Sequence, residues 1–204
     1  MTRRRTRIHG EDEPLERSLA AYGVEPVRTG PADAFVTLAP APELRPLTAI
    51  PVADWLSRFA GYVDEPFWAF QGWAREVLER GARGRWIAIT TVLGTQPFPG
   101  GGADGTACSA MQALVQIAAI EYGARGMRAN AVVSGWRADR LPADLDPVLA
   151  ENDTPTGRLT TAAQVAAVTA WLLSDAAENA NGEIVRVDGG YTLSRGARPD
   201  PRKL

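Results

Sequence analysis

The chain has 204 residues, with 22 Lys plus Arg against 24 Asp plus Glu, a formal net charge of −2. So balanced a charge gives no global basic field for nucleic acid or anionic lipid. Hydrophobic residues make up 45% and charged residues 23%, the usage of an ordinary globular domain that can bury a core. Cys108 is the only cysteine and His9 the only histidine, which excludes an intrachain disulfide, a cysteine-cluster metal site and a His-based zinc site.

No apolar run approaches the ~20 residues of a membrane helix. Met1 to Arg7 is arginine-rich, and Glu11-Asp12-Glu13 stands where a signal peptide would place its apolar stretch. The start is therefore expected to be solvated or disordered, and the protein cytoplasmic. Arg7 to Gly10, Leu15 to Tyr22 and Val24 to Arg28 read as one strand-helix-strand remnant. Asp33 to Ala39 is a short apolar run stopped by Pro40-Ala41-Pro42, a buried strand. Val52 to Phe59 and Pro66 to Arg80 read as helices, the second with Phe67, Phe70, Trp73, Ala74, Val77 and Leu78 at three- and four-residue spacing.

Trp86 to Val92 is apolar almost throughout, as in a parallel strand covered on both faces. A loop from Gly94 to Gly105 precedes a helix predicted from about Thr106 to Tyr122. Arg128 to Val133 is a strand, Thr161 to Ser174 a helix, and Glu183 to Val187 a last strand closed by Asp188-Gly189-Gly190. Strands alternating with helices imply an α/β fold with a parallel sheet. Residues 1–32 form a reduced N-terminal piece, 33–194 the core and 195–204 a loose Pro- and charge-rich tail, within a single domain.

Three stretches together resemble the short-chain dehydrogenase/reductase family: Gly84 to Thr91; Glu121-Tyr122-Gly123 through Arg128 to Gly135; and Thr154-Pro155-Thr156-Gly157-Arg158-Leu159 with Ala163 to Asp175 and Gly182 to Tyr191. The resemblance implies a Rossmann-like three-layer sandwich. It also implies departures. In the family Asp33 would open the fourth strand, and three βα units of ~30 residues each would precede it. Only residues 1–32 are available, so at least one unit is missing. Neither Gly10 nor Gly23 sits in the glycine-rich turn that presents backbone amides to a cofactor pyrophosphate. Gly100 to Gly105 fits G-x-G-x-x-G but does not directly follow a strand, and reads as a flexible loop.

The family's serine position falls on Thr91 or Thr90, its tyrosine and lysine positions on Asp104 and Cys108 (or, in a register shifted by two, on Thr106 and Ala110), and its asparagine position on Tyr62. Its Asn-Asn-Ala-Gly reads Thr37-Leu38-Ala39-Pro40, and its Pro-Gly reads Ser134-Gly135. The family mechanism needs a phenol acidified by a neighbouring ammonium, which an aspartate and a neutral thiol do not supply. The resemblance thus points to a non-catalytic subunit with no catalytic residues and no cofactor, NAD(P) binding being lost. Its partner would be a protein, as a hetero-oligomer with a full-length reductase or as a homo-oligomer. The helices carrying Trp68, Phe70, Trp73, Met111, Leu114, Val115 and Ile117, apolar on more than one side, would form the interface. Two alternatives stay open: an enzyme whose pocket is reused for dehydration, isomerisation or cyclisation without nicotinamide, and an atypical NAD(P)-dependent oxidoreductase.

Overall fold

The computed structural model describes residues 4–194. The predicted tail over 195–204 lies outside the described residues. Six strands form one sheet: β1 (Arg4–His9), β2 (Val24–Val27), β3 (Ala34–Leu38), β4 (Gly84–Thr91), β5 (Met127–Ser134) and β6 (Ile184–Val187). They are parallel, in the order β2-β1-β3-β4-β5-β6. All five residues of β3 are buried, and so are seven of the eight in β5, because helices cover both faces.

On one face lie α1 (Glu13–Ala21) and α6 (Ala162–Leu173), whose Leu15, Leu19, Val165, Ala166 and Leu172 pack on Ile8, Val36 and Val132. On the other lie α3 (Glu65–Glu79) and α4 (Gly102–Tyr122). There Phe70, Trp73, Val77, Met111 and Val115 meet Phe35, Trp86 and Ala131. The Rossmann-like sandwich expected from the sequence is therefore present. Between β3 and α3 the chain forms α2 (Val52–Phe59) and a single wide turn at Ala60–Asp64. Short helices α5 (Pro147–Asp153) and α7 (Tyr191–Ser194) complete the fold.

The arginine-rich start is not loose from Arg4 onward. Thr6 and Ile8 point into the protein while Arg5 and Arg7 alternate outward, so the segment is a strand of period two. One strand-helix-strand unit precedes β3, as the residue count requires. No helix joins β2 to β3. Residues 28–33 return directly, fixed by Arg7, which donates to the Gly30 carbonyl (2.7 Å), and by Trp73 Nε1, which donates to the Ala32 carbonyl (2.8 Å). The predicted loop over Gly94 to Gly105 is shorter than expected, since α4 starts at Gly102. A side chain at Gly105 would come within 2.8 Å of the Leu93 carbonyl, so glycine lets the helix begin tight against that turn.

Trp73 is fully buried, stacks on Phe35 with ring centroids 5.4 Å apart, and anchors the 28–33 return. Trp73→Ala is expected to cost about 3–5 kcal/mol, read as a lower urea midpoint; a midpoint shifted by less than a quarter of that would contradict this packing.

Candidate active site

Going along the sheet, the chain runs outward to β2 on one side of β1 and to β3 through β6 on the other. In open parallel sheets ligands bind at the carboxyl ends of the strands beside such a reversal. A crevice lies there, lined by Asp12, Leu38 to Pro40, Ile89 to Thr91, Ser134 to Arg137 and Arg140. Its free volume is about 30 Å³, room for one or two waters. Gly10 makes the turn out of β1 with φ +95°, and a side chain there would come within 2.6 Å of the Leu38 carbonyl.

Asp12 closes the crevice at the start of α1. One of its oxygens accepts the Leu15 amide (3.2 Å), capping the helix. Arg137 bridges both oxygens at 2.6 and 2.9 Å, and Arg140 reaches the second at 2.6 Å. Arg137 also binds Asp139. The Asp12 and Arg137 side chains are 2% and 4% exposed, so this is an interior pair. Burial opposes the charged carboxylate, but the hydrogen bonds and charges of the two guanidiniums outweigh it and hold Asp12 below the usual carboxylate range.

Thr91, Cys108, Tyr62 and Asp104 are brought together, as their sequence alignment implies, but not as a proton-donating set. Thr91 Oγ1 lies 3.6 Å from Cys108 Sγ, and Cys108 packs with Tyr62. Tyr62 Oη donates to Asp104 (3.1 Å) or to the Pro40 carbonyl (3.1 Å). Asp104 takes both Arg58 Nε and Nη2 at 2.6 Å, and accepts the Glu43 amide at 2.8 Å. Arg58 goes on to the Ala41 carbonyl (2.6 Å) and Glu43 (3.1 Å). Burial, first of all, raises the Tyr62 phenol, and it pushes the Cys108 thiol up to about 11. Burial also opposes the charge on Arg58, but hydrogen bonding to Asp104 and its anionic neighbours raise it on balance. The family's tyrosine position is thus a clamp tying residues 40–43 to α2 and α4. Arg58 was missed in the sequence; its only signal there is its position one helical turn before Tyr62.

Thr91 alone of the four lines the crevice. Two other hydroxyls there are committed: Thr90 accepts from Gln112 Nε2 (3.2 Å), and Ser134 donates to the Gly135 carbonyl (3.0 Å). Of the seven residues expected at an interface, Phe70, Trp73, Met111 and Val115 are buried against the sheet of their own chain, and Leu114 packs beside them. Their apolar character answers to this core. Trp68 (62% exposed) and Ile117 (50%) face outward, joined by Ile120 (84%).

A family model described as enoyl-(acyl carrier protein) reductase matches residues 28–192. Galactitol 2-dehydrogenase of Cereibacter sphaeroides is 30% identical over 183 residues, 86% of this chain and 72% of that enzyme. The uncharacterized oxidoreductase YohF of Escherichia coli is 30% identical over 171 residues, 82% of this chain and 67% of that protein. The chain belongs to the short-chain dehydrogenase/reductase family. It spans about half the length (49%) of one further relative, a 2,5-dichloro-2,5-cyclohexadiene-1,4-diol dehydrogenase of Sphingobium indicum. Acetoin dehydrogenase from Enterobacter cloacae superposes with a TM-score of 0.73, at 29% identity, covering 88% of this chain and 69% of that one. A gluconate 5-dehydrogenase from Burkholderia cenocepacia, solved with NADP and tartrate, shares the fold with a TM-score of 0.82, at 22% identity, over 94% of this chain and 96% of that one.

Two expectations are corrected by these likenesses. The non-catalytic subunit gives way, because the relatives that share most of the chain are a dehydrogenase and an oxidoreductase. The absence of any cofactor is not upheld either, because the family model matching residues 28–192 is that of a reductase, and the Burkholderia enzyme of the same fold was solved with NADP. Among the described residues no helix is long and apolar enough to cross a membrane.

The crevice offers the strand ends and the Thr91 hydroxyl to a dinucleotide, but its free volume of about 30 Å³ is smaller than a diphosphate. The strand ends and Thr91 form the reaction-side walls. At the other end Gly10 makes the turn out of β1, and Asp12 engages the two guanidiniums of Arg137 and Arg140.

Arg58→Ala leaves the Asp104 side chain, 1% exposed, without its cation. It is expected to cost about 3–5 kcal/mol, with much of this regained in Arg58→Met/Asp104→Leu, as measured by chemical denaturation. Asp12 ionises more easily folded than unfolded, so its stabilisation is complete above ~4 and is lost as pH falls through the lower folded value. Asp12→Asn should flatten the acid limb of a Tm–pH curve; an unchanged limb would place that titration elsewhere.

Proposed function

We propose that this chain is an oxidoreductase of the short-chain class that uses a nicotinamide dinucleotide to interconvert a hydroxyl and a carbonyl on a small polar substrate, a polyol or sugar acid. The observation that carries this reading is the crevice at the sheet reversal with the Thr91 hydroxyl on its wall, in a chain whose relatives include galactitol 2-dehydrogenase. The dinucleotide, when bound, supplies or accepts the hydride.

The chain's own residues do the rest. Thr91 has only a long contact to a neutral thiol, so its hydroxyl is available to hydrogen-bond the substrate oxygen. Asp104 and Tyr62 are spent on the clamp, so Thr91 is the hydroxyl left to orient the substrate oxygen. Arg28 follows β2, where a cation suits the 2′-phosphate of NADP. It now binds Glu16 at 2.9 and 3.0 Å on an exposed face. Trp68 on α3 and Ile117 and Ile120 on α4 are exposed apolar side chains that would bury against a protein subunit, a second copy or a full-length relative.

Calorimetry is expected to give NADPH binding at least tenfold tighter than NADH, with Arg28→Ala removing the preference. Binding of neither dinucleotide overturns the reading. Thr91→Val is expected to lower kcat with galactitol or gluconate by about 10²-fold, the scale for one lost donor to a reacting oxygen, while leaving dinucleotide affinity within twofold. In light scattering coupled to size exclusion, Trp68→Asp should lower the assembled mass; a mass that does not change would remove that face from assembly.

A further inference from the structure

We propose that the chain carries a second ligand site at the amino ends of its strands, a groove of arginines that takes a small anion bearing two or more phosphates. The groove lies at the opposite end of the sheet from the crevice and does not rest on the reading above. A strand rises about 3.3 Å per residue, so Arg85 near the start of β4 and Thr91 at its end stand roughly 20 Å apart. Two adjoining hollows of about 740 and 280 Å³ make the groove, and they share Arg83, Arg85 and Glu178. The larger has the size of an ordinary small-molecule site.

Three observations support it. The first is an excess of positive charge. Arg4, Arg5, Arg80, Arg83, Arg85 and Arg128 line the groove against Asp33, Asp175 and Glu178. The chain as a whole carries a net charge of −2, so this concentration is not the overflow of a basic protein.

The second is where the arginines sit. Arg85 and Arg128 are paired positions on β4 and β5, which puts both side chains on one face of the sheet. Like charges at paired positions repel. Arg128 has no carboxylate partner among the described residues and donates to the carbonyls of Ser174 (3.2 Å) and Ala177 beyond α6. Burial first of all, with Arg4 and Arg83 working against Glu178 and Asp175, holds its guanidinium below the ordinary arginine value. Arg5 is exposed and pairs with no carboxylate among the described residues. Arg85 Nε is buried without a hydrogen-bond partner.

The third is that the anions already present are easily displaced. One oxygen of Asp175 receives both Arg85 and Arg4, yet that side chain is 81% exposed. Glu178, on Arg83, and Asp33, on Arg80, are 67% and 55% exposed. Exposed ion pairs contribute little to stability, so all three carboxylates can turn into solvent without opening the core. Guanidiniums fork onto phosphate oxygens bidentately, and their spread along the groove suits charge carried on more than one group. The chain's negative balance gives no field beyond the groove, which favours a small ligand over a nucleic acid.

The test titrates inorganic tripolyphosphate into the full chain by calorimetry at physiological ionic strength. Binding is expected at one per chain and about tenfold or more tighter than sulfate. Arg5→Gln/Arg83→Gln, two exposed positions, should weaken it about tenfold or more, while the exposed pair Arg17→Gln/Arg158→Gln away from the groove leaves it within about twofold. No binding, or an equal loss in both double variants, overturns the site. A single-stranded oligonucleotide held more tightly than tripolyphosphate overturns the small-ligand assignment. In the wild-type chain, tripolyphosphate should slow phenylglyoxal labelling of Arg5 and Arg83 but not of Arg17, read by mass spectrometry; unslowed labelling overturns the proposal without recourse to any variant. NADPH titrations keep the two readings apart. If Arg5→Gln/Arg83→Gln loses NADPH and tripolyphosphate together, the anion sits in the crevice and this proposal fails. Tripolyphosphate binding in a chain that takes neither dinucleotide supports the groove and overturns the cofactor reading alone.

Discussion

The ion pair of Asp12 with Arg137 joins the first turn of the chain to the end of β5, and the organisation of the site depends on it. Both side chains are almost wholly buried, so neither tolerates loss of the other. The pair spans the reversal of the sheet, where the N-terminal unit and the core contribute opposite walls of one crevice. It thereby compensates for the shortness of the N-terminal unit. That unit offers one helix and two strands, the second only four residues long, and the return to β3 has no helix to cover it. A charged bridge from α1 to the far side of the reversal gives this small unit a directional anchor that its apolar contacts with α6 do not provide.

A second buried pair, Asp104 with Arg58, plays a different part. Its Asp104 aligns with the family's tyrosine position, yet its oxygens point to α2 and to the 40–43 segment rather than into the crevice. The carboxylate and the guanidinium tie the first turn of α4 to α2. It holds the loop that follows β3 close to the crevice. The chemistry assigned to the crevice then falls on Thr91, the one lining hydroxyl not already committed to a strong partner.

The central sheet was legible in the sequence because its strands are apolar on both faces and its helices keep three- and four-residue spacing. β3, β4, β5 and α6 lie within two residues of where periodicity puts them. The start of α4 was not legible, because its first turn is glycine, alanine and aspartate, which read as a loop until Leu93 is seen packed against it. Nor was β1 clear: arginines on its outer face hide the inward alternation of Thr6 and Ile8. In the site, the motif positions located Thr91, Asp104, Cys108 and Tyr62. No local pattern pointed to Arg58, Arg137 or Arg140, because their partners are 46, 125 and 128 residues away in the chain. The inference from lost motif residues to lost function failed because the motif covers a few positions while the likeness to a dehydrogenase and an oxidoreductase runs along most of the chain.

The turn between β1 and α1 and the turn after β5 meet through side-chain charge rather than backbone amides. A glycine-rich turn works by bringing several backbone amides to one point, which needs a full-length strand, turn and helix in strict register. Guanidiniums on the turn after β5 need no such register, since each carries its own charge and a fork of donors at the end of a flexible stem. Their drawback is that two buried cations are unstable without an anion. A carboxylate from the facing helix supplies one. Asp12, with Asp139 beside Arg137, is what allows the two arginines to stay folded into the crevice.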